Sequence, residues 1–128
     1  MKKIMLIDDE PDVLEILKEF LEFLQFKVSI FEHPNEALQQ FLSEHYDIII
    51  TDINLPEIDG FELIKKFRQI DTTIPIIVIS GYIDEVKKEQ ILNIGANGYL
   101  EKPFNLKQLQ STIENIYSGE ESCKTQIA

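Results

Sequence analysis

Polar side chains that could bind a cation follow the most apolar segments of this chain. Asp8 and Asp9 come directly after KIMLI, and Asp52 comes directly after DIIIT. Ser80 ends the run PIIVIS, and Lys102 lies two residues beyond GYL. Carboxylates are ligands for hard divalent cations, and a hydroxyl and an ammonium group are complementary to them. This chemistry requires a fold that brings distant segments together.

The segments that carry these residues alternate between strand-like and helix-like patterns five times. Short apolar runs predict five strands, at residues 3–7, 27–31, 47–51, 75–80 and 98–100. Apolar residues at helical spacing predict five helices, at residues 12–24, 34–45, 61–70, 84–94 and 105–117. The second helix is expected to bury Ala37, Leu38, Phe41 and Leu42. The fourth has few apolar residues, and we expect it to be the most weakly held element.

Strict alternation with short connections predicts an α/β fold with right-handed crossovers. We expect a single doubly wound (βα)5 domain, with a five-stranded parallel sheet between two layers of helices. In such sheets, ligands bind past the carboxyl ends of the strands, where the strand order reverses. The polar residues described above all lie at that edge.

Three carboxylates at this edge favour a bound cation. If the first and third strands are neighbours, their backbones are about 4.8 Å apart. Like charges about 5 Å apart repel by about 3 kcal/mol per pair at an effective dielectric constant near 20. Lys102 alone cannot offset three such pairs, whereas a hard divalent cation can. Oxygen ligands favour Mg²⁺, with Mn²⁺ as an alternative.

Each segment taken alone also has a simpler explanation. The acids after the first strand could serve only the N-terminus of the following helix, and Asp52 could be a turn residue. The Ser-Gly and Lys-Pro dipeptides could be ordinary turns. If all of these simpler explanations held, four strands would each have placed a complementary group at the same edge by chance. The combination therefore favours a single site.

Four segments, LIDDEP, IIITDINLPEIDG, PIIVISGY and GANGYLEKPF, resemble the successive signatures of the response-regulator receiver domain of two-component signalling. The resemblance covers about residues 3–118, with the signatures in order and at family-like spacing. It implies the strand order 2-1-3-4-5 of a flavodoxin-like three-layer sandwich. It also implies a receiver domain at residues 1–118, followed by a polar tail, 119–128, that we expect to be disordered.

The resemblance implies a role for each residue at the strand ends. Asp52 would be the phosphoacceptor, and Lys102 would contact it and the phosphoryl oxygens. The peptide bond between Lys102 and Pro103 would be cis. Mg²⁺ would be held by the carboxylates of Asp8, Asp9 and Asp52 and by the backbone carbonyl of Asn54.

Two further residues would carry the response to phosphorylation. Ser80 matches the hydroxyl residue that moves to bind the phosphoryl group, and Tyr99 matches the aromatic residue whose rotamer follows that movement. The output surface would be formed by the fourth helix, the fifth strand and the fifth helix. The chain departs little from the family pattern: Ile58 stands where many members carry Met, Ser80 is the less common hydroxyl residue, and Glu10 extends the acidic pair.

Composition and resemblance together narrow the class of partner. The net charge of −11 disfavours binding to nucleic acid or to an anionic membrane. The single cysteine, Cys123, excludes an internal disulfide and is typical of a reducing cytoplasm. The resemblance implies a sensor histidine kinase or a histidine phosphotransfer protein as phosphodonor, an unidentified protein target, and a monomer or phosphorylation-dependent dimer. It implies a signalling switch that assists its own phosphorylation and dephosphorylation rather than an enzyme.

Three other functions fit parts of the pattern. A phosphatase of the haloacid dehalogenase class needs a second acid two residues after its nucleophile, where this chain has Asn54. A flavodoxin-like cofactor carrier needs a phosphate-binding loop where this chain has DDEPD. A receiver-like module that binds partners without being phosphorylated stays open as an alternative.

Two surface assignments have alternatives at this level. Tyr82 could cover the site and slow the entry of water, or it could be an ordinary loop residue. Ile16 and Phe23 lie off the centre of the apolar stripe of the first helix. They could form a kinase-docking patch, as this helix often does in the family, or extend the edge of the core.

Overall fold

The computed structural model describes residues 1–55 and 57–117; Cys123 and the expected tail at 119–128 lie outside the described residues. The strands are β1 (Lys3–Ile7), β2 (Lys27–Phe31), β3 (Ile48–Asp52), β4 (Ile76–Ser80) and β5 (Gly98–Glu101). The helices are α1 (Pro11–Phe23), α2 (Pro34–Ser43), α3 (Gly60–Ile70), α4 (Glu85–Asn93) and α5 (Leu106–Tyr117). Every predicted element is confirmed, with ends that shift by one or two residues. No helix in this part of the chain is long and apolar enough to cross a lipid bilayer.

The five strands form one parallel sheet in the order β2-β1-β3-β4-β5. This order confirms the predicted architecture. The register pairs Ile7 with Thr51 and Asp52 with Ile79, so β1, β3 and β4 end at the same edge. The chain leaves β1 toward β2 and returns to the other side of β1 as β3, which places the reversal of strand order between β1 and β3.

Apolar side chains cover both faces of the central strands. Successive residues of a strand point to opposite faces. Met5 and Ile49 belong to one core cluster with Phe67 of α3, whereas Leu6 and Ile50 belong to another with residues of α1 and α5. Every residue of β3 and β4 is buried, as expected of parallel strands covered on both faces. The strand ends are therefore fixed by two hydrophobic layers.

One expectation about α2 was wrong, because Leu42 is 67% exposed. Ala37 and Phe41 are one turn apart and are both buried in the core. Leu42 lies about 100° further around the helix axis than Phe41, on the solvent side. The apolar stripe of α2 is therefore narrower than its sequence indicates.

α4 packs more weakly against the domain than the other helices do. It buries a single side chain, Ile91, whereas each other helix buries two to four. The Asp84 carboxylate caps the helix by accepting a hydrogen bond from the N–H of Lys87 at 2.8 Å. The Glu101 carboxylate accepts from the N–H of Ile83 at 3.1 Å. The weak packing predicted for this helix is confirmed.

Arg68 of α3 holds the other end of α4. Its guanidinium donates to the Gly95 carbonyl from Nε at 3.0 Å and from Nη2 at 2.6 Å, and to Asn97 Oδ1 at 2.9 Å. Asn97 Oδ1 also accepts from the N–H of Ile76, at the start of β4, at 2.9 Å. Gly95 has a φ of 109°, and a Cβ there would lie 2.9 Å from Arg68 Nε, so this position requires glycine. The segment after α4 is thereby fixed to α3 and β4.

Candidate functional site

A buried polar cluster lies at the C-terminal edge of the sheet. Asp8 follows β1, Asp52 ends β3 and Ser80 ends β4, and their exposed fractions are 1%, 4% and 0%. Within the described residues, Thr51 is the only other buried polar or charged residue. Burying carboxylates costs free energy unless they are paired. Their concentration at one edge therefore indicates a functional site.

Lys102, just after β5, joins the acids of this edge. Its Nζ lies 2.9 Å from Asp52 Oδ2, 3.3 Å from Asp8 Oδ2 and 3.4 Å from Glu10 Oε1. An ammonium group has three donors, which matches the three carboxylates. The peptide bond between Lys102 and Pro103 is cis. Segments that are distant in the sequence therefore meet at one ammonium group.

The backbone fixes the second oxygen of each buried carboxylate. Asp8 Oδ1 accepts from the N–H of Glu10 at 2.9 Å, and Asp52 Oδ1 accepts from the N–H of Asn54 at 2.8 Å. In both cases the side chain bonds the backbone two residues further on, as in Asx turns. The other oxygen of each carboxylate, Oδ2, faces Lys102. Asp52 thus has a defined orientation at the end of its strand.

Burial and charge shift the pKa values of two members of the cluster. Burial raises the pKa of Asp8 above its ordinary value of 3.8, and the Asp52 charge adds to this rise, although the Glu10 N–H and Lys102 oppose it. Burial alone would lower the pKa of Lys102. The hydrogen bond and charge of Asp52, with the charge of Asp8, raise the pKa of Lys102 above its ordinary value instead. The lysine is therefore charged at neutral pH.

Three consecutive acidic residues after β1 bring their carboxylate oxygens close together. Oxygens of Asp8, Asp9 and Glu10 all lie within 4.8 Å of one another, with Asp8 buried and the other two exposed. Such hard oxygen donors fit Mg²⁺ or Mn²⁺ better than zinc. Asp52 is linked to Asp8 through Lys102. The group is of the kind that a hard divalent cation prefers, and it contains Asp8 and Asp9 of the predicted ligands, with Glu10 in place of Asp52 and Asn54.

The Ser80 hydroxyl is bonded to the segment that follows β4. Ser80 Oγ donates to the Tyr82 carbonyl at 3.3 Å and accepts from Lys87 Nζ at 3.1 Å. The Ser80 carbonyl accepts from the N–H of Lys102 at 2.7 Å, which aligns the lysine with the end of β4. Ser80 is thus connected through its backbone to the acidic cluster and through its hydroxyl to α4.

Tyr99 lies on β5, next to Val78 of β4 in the register of the sheet. Its side chain is half-buried against the core cluster that contains α3 and α4 residues. Lys88 Nζ lies 5.9 Å from the centroid of its ring, within the range of a cation–π interaction. Both Ser80 and Tyr99 therefore contact consecutive lysines of α4.

The sequence matches the family model of the response regulator receiver domain over residues 4–114. The chain belongs to the response regulator receiver family. Receiver domains are phosphorylatable signalling switches of two-component systems. The fold and strand order described above are those of CheY-like receiver structures.

Individual relatives support this assignment. The receiver domain is 32% identical over 122 residues to the transcriptional regulatory protein CrdR of Helicobacter pylori, an alignment that covers 93% of this chain and 56% of CrdR. A CheY-like receiver domain protein from Methanospirillum hungatei superposes with a TM-score of 0.87 at 30% identity, covering 98% of each chain. TrrA from Thermotoga maritima, solved in complex with Mg(2+)-BeF, gives a TM-score of 0.80 at 32% identity, covering 89% of this chain and 97% of TrrA. The chain spans about half the length of the curated relatives it matches.

An apolar groove lies beside the acidic cluster of the receiver domain, between α1 and the β5–α5 connection. Its walls include Val13, Ile16, Leu17, Phe104 and Leu106, with Lys102 at the edge. Ile16 is 59% exposed and Phe23 is 80% exposed. These two residues therefore do not extend the core, and that alternative is excluded. Tyr82 is 66% exposed on the β4–α4 loop.

The sequence did not reveal the contacts of Glu10 and Lys87. By spacing alone, Glu10 only extends the acidic pair. Its position two residues after Asp8 was the signal that could have indicated its contact with Lys102. Lys87 follows Ser80 by seven residues and lies in the first turn of α4. Its approach to the serine depends on where α4 begins, which a sequence pattern does not define to within a residue.

Proposed function

We propose that this receiver domain accepts a phosphoryl group from a phosphohistidine donor on Asp52, with Mg²⁺ bound, and that this modification switches the binding of a partner protein. One observation carries the proposal: Asp52 is 4% exposed at the sheet edge, with Oδ1 bonded to the Asn54 N–H and Oδ2 2.9 Å from Lys102 Nζ. Phosphoryl transfer depends mainly on positioning and on neutralising charge. A carboxylate oriented in this way meets both requirements.

In the transfer step, a carboxylate oxygen of Asp52 forms a bond to phosphorus while the bond between phosphorus and the donor imidazole nitrogen breaks. The bonding electron pair stays on that nitrogen, and the product on Asp52 is an acyl phosphate. Lys102 would move from the carboxylate oxygen to the phosphoryl oxygens, and it stays charged because its pKa is raised. Attack of water on phosphorus later removes the group, so the modification is temporary.

Four oxygen ligands would hold the cation: the carboxylates of Asp8, Asp9 and Asp52 and the backbone carbonyl of Asn54. Hard oxygen donors suit Mg²⁺ and also Mn²⁺. The bound cation supplies positive charge at the phosphoryl oxygens. The proximity of Asp8 and Asp9 supports this assignment.

Ser80 and Tyr99 would transmit the modification to the surface. A phosphoryl group on Asp52 adds negative charge at a buried position and attracts the Ser80 hydroxyl away from the β4–α4 loop. Tyr99 would then turn toward β4, and α4, which buries only Ile91, would shift. The surface formed by α4, β5 and α5 would thereby favour the form that binds the partner.

The apolar groove beside Lys102 is the proposed docking surface for the phosphodonor, a sensor histidine kinase or a histidine phosphotransfer protein. Lys102, which contacts Asp52, also lines the groove, so a donor docked there would lie close to this carboxylate. Ile16 of the groove is exposed to solvent. The net charge of −11 favours a basic partner surface around this contact. We further propose that the protein acts in the cytoplasm, as a monomer or as a dimer formed on phosphorylation, without binding nucleic acid or membrane.

Labelling with radioactive acetyl phosphate and Mg²⁺ tests the phosphoacceptor. The wild-type chain should take up one phosphoryl group that hydroxylamine releases, and Asp52→Asn should take up none. Chelation of the cation should abolish labelling of the wild type. A wild-type chain that stays unlabelled would instead favour a receiver-like module that acts without phosphorylation.

Two substitutions test the transmission step. Ser80→Ala and Tyr99→Ala should still be labelled on Asp52, but the set of proteins retained in a pull-down should no longer change when acetyl phosphate is added. The wild type should show that change and Asp52→Asn should not. Loss of labelling with an intact change in retained proteins would contradict this division of roles.

A charge placed in the groove tests donor docking. Ile16→Glu should slow phosphotransfer from a phosphorylated histidine phosphotransfer protein and leave labelling by acetyl phosphate unchanged. Leu42→Glu is the matched control, because Leu42 is similarly exposed but lies on α2. Equal transfer rates for the two variants would exclude the groove as the docking surface.

A further inference from the structure

We propose that Lys87 is a positioning residue that holds the Ser80 hydroxyl in its resting orientation and so limits switching before Asp52 is phosphorylated. This inference rests on the proposed role of Ser80. Lys87 Nζ donates to Ser80 Oγ at 3.1 Å, and the same hydroxyl donates to the Tyr82 carbonyl at 3.3 Å. Both contacts direct the hydroxyl toward α4 and its loop.

These two bonds satisfy a fully buried hydroxyl, since Ser80 is 0% exposed. No buried side-chain nitrogen or oxygen in the described residues lacks a hydrogen-bond partner. A buried polar group that loses its partners costs free energy until it finds new ones. A phosphoryl oxygen can replace the Tyr82 carbonyl as the acceptor, but it has no proton to replace Lys87 as the donor, so the bond from Lys87 opposes the movement of Ser80.

The environment of Lys87 supports a dedicated role. Its backbone N–H is bound by the Asp84 carboxylate, which fixes the start of its side chain. The neighbouring Lys88 forms an ion pair with Glu85 at 3.4 Å. Within 1–55 and 57–117, Lys87 Nζ has no carboxylate within 4.0 Å, and the Ser80 hydroxyl is its hydrogen-bond partner. A bond with a charged donor is stronger than a bond between neutral groups.

Because Lys87 belongs to α4, the contact also couples the position of this helix to the rotamer of Ser80. Movement of the N-terminus of α4 and rotation of Ser80 must then occur together. Lys88 adds a contact to Tyr99 from the same turn. Lys87 thus sets how much of the switched form exists before phosphorylation.

Lys87→Met tests the inference, since it removes the donor and the charge but keeps an unbranched side chain. Lys66→Met is the control, because Lys66 is an exposed lysine of α3. Lys87→Arg should restore the wild-type behaviour. Two NMR measurements apply to all four proteins: the Hα–Hβ couplings that report χ1 of Ser80 without ligand, and a titration with beryllofluoride and Mg²⁺ that mimics the phosphoryl group.

In the wild type and in Lys66→Met, the couplings should report a single χ1 rotamer, whereas Lys87→Met should show averaging between rotamers. Lys87→Met should also bind beryllofluoride about three- to tenfold more tightly, because the resting form loses one hydrogen bond. Unchanged couplings, or weaker binding than in Lys66→Met, would overturn the inference. Weaker binding would place Lys87 among the phosphoryl ligands. A wild type that binds no beryllofluoride would overturn the proposed function and the inference with it, whatever the couplings show.

Discussion

Replacing Lys102 by Met removes the ammonium group that joins Asp8 and Asp52, both almost fully buried. In Lys102→Met, two buried carboxylates would face each other without a cation. Burial already raises the pKa of Asp8, and the loss of Lys102 would raise it further. The folded state should therefore lose stability in the absence of divalent cations.

The size of this loss follows from the geometry. Removing one partner of a buried ion pair costs about 3–5 kcal/mol. The Lys102 side chain is 25% exposed, and a carboxylate can take up a proton, so we expect about 2–3 kcal/mol. For a domain of this size, about 1 kcal/mol shifts Tm by about 4 °C. Lys102→Met should therefore unfold about 8–12 °C below the wild type at neutral pH.

Thermal unfolding followed by circular dichroism measures this difference. With EDTA present, the deficit should be largest at neutral pH and shrink as the pH falls through the raised folded-state pKa of Asp8 toward its ordinary value of 3.8, below which Asp8 is protonated in both states. Saturating Mg²⁺ should recover part of the deficit. In a double-mutant cycle, Asp52→Asn should reduce the cost of Lys102→Met, because one buried charge is gone. A deficit below about 2 °C, or an unchanged cost when Lys102→Met is combined with Asp52→Asn, would refute the reasoning.

Three further predictions use other features of the chain. Asp8→Asn, measured by urea titration with EDTA present, should raise the free energy of unfolding at neutral pH. The reason is that a raised pKa in the folded state makes ionised Asp8 destabilising, so the gain should vanish below pH 3.8. Gly60→Ala should lower the free energy of unfolding by about 3 kcal/mol, because a Cβ would lie 2.3 Å from the Ile53 backbone oxygen. Gly81→Ala should stay within about 0.5 kcal/mol of the wild type, because no atom lies within 4 Å of a Cβ built there. Tyr82→Ala should shorten the lifetime of phosphorylated Asp52 if the exposed ring shields the site, and an unchanged rate of phosphate release would reject that role.

The sequence was sufficient to predict that Asp8, Asp52 and Lys102 meet at one edge of the sheet. The unbroken apolar runs before Asp8, Asp52 and Ser80 indicate strands covered on both faces, and parallel strands end at a common edge. The order of the strands places Lys102, which follows Asp52 by 50 residues, at the same edge. The apolar runs, together with the strand order that the resemblance implies, therefore predict these three members of the cluster.

Contacts that depend on helix position could not be predicted in this way. Leu42 fits the apolar stripe of α2 by spacing, but it lies on the solvent side of the helix, about 100° around the axis from Phe41. Lys87 reaches Ser80 because Asp84 fixes where α4 begins. A shift of one residue in that start would turn the lysine by about 100°. The periodicity of the sequence indicates which face of a helix is buried. Which atoms a side chain can contact depends on the exact placement of the helix.

The bonds from Arg68 to Gly95 give α4 a fixed pivot at one end. α4 has nine residues, so it is about 13 Å long, and a tilt of about 10° about that pivot would carry its first turn through about 2 Å. This displacement is greatest at the first turn of α4, where Lys87 contacts Ser80, and least at the end that leads to β5. A small rearrangement near Ser80 can therefore be accompanied by a larger displacement of the first turn of α4, while the sheet keeps its structure.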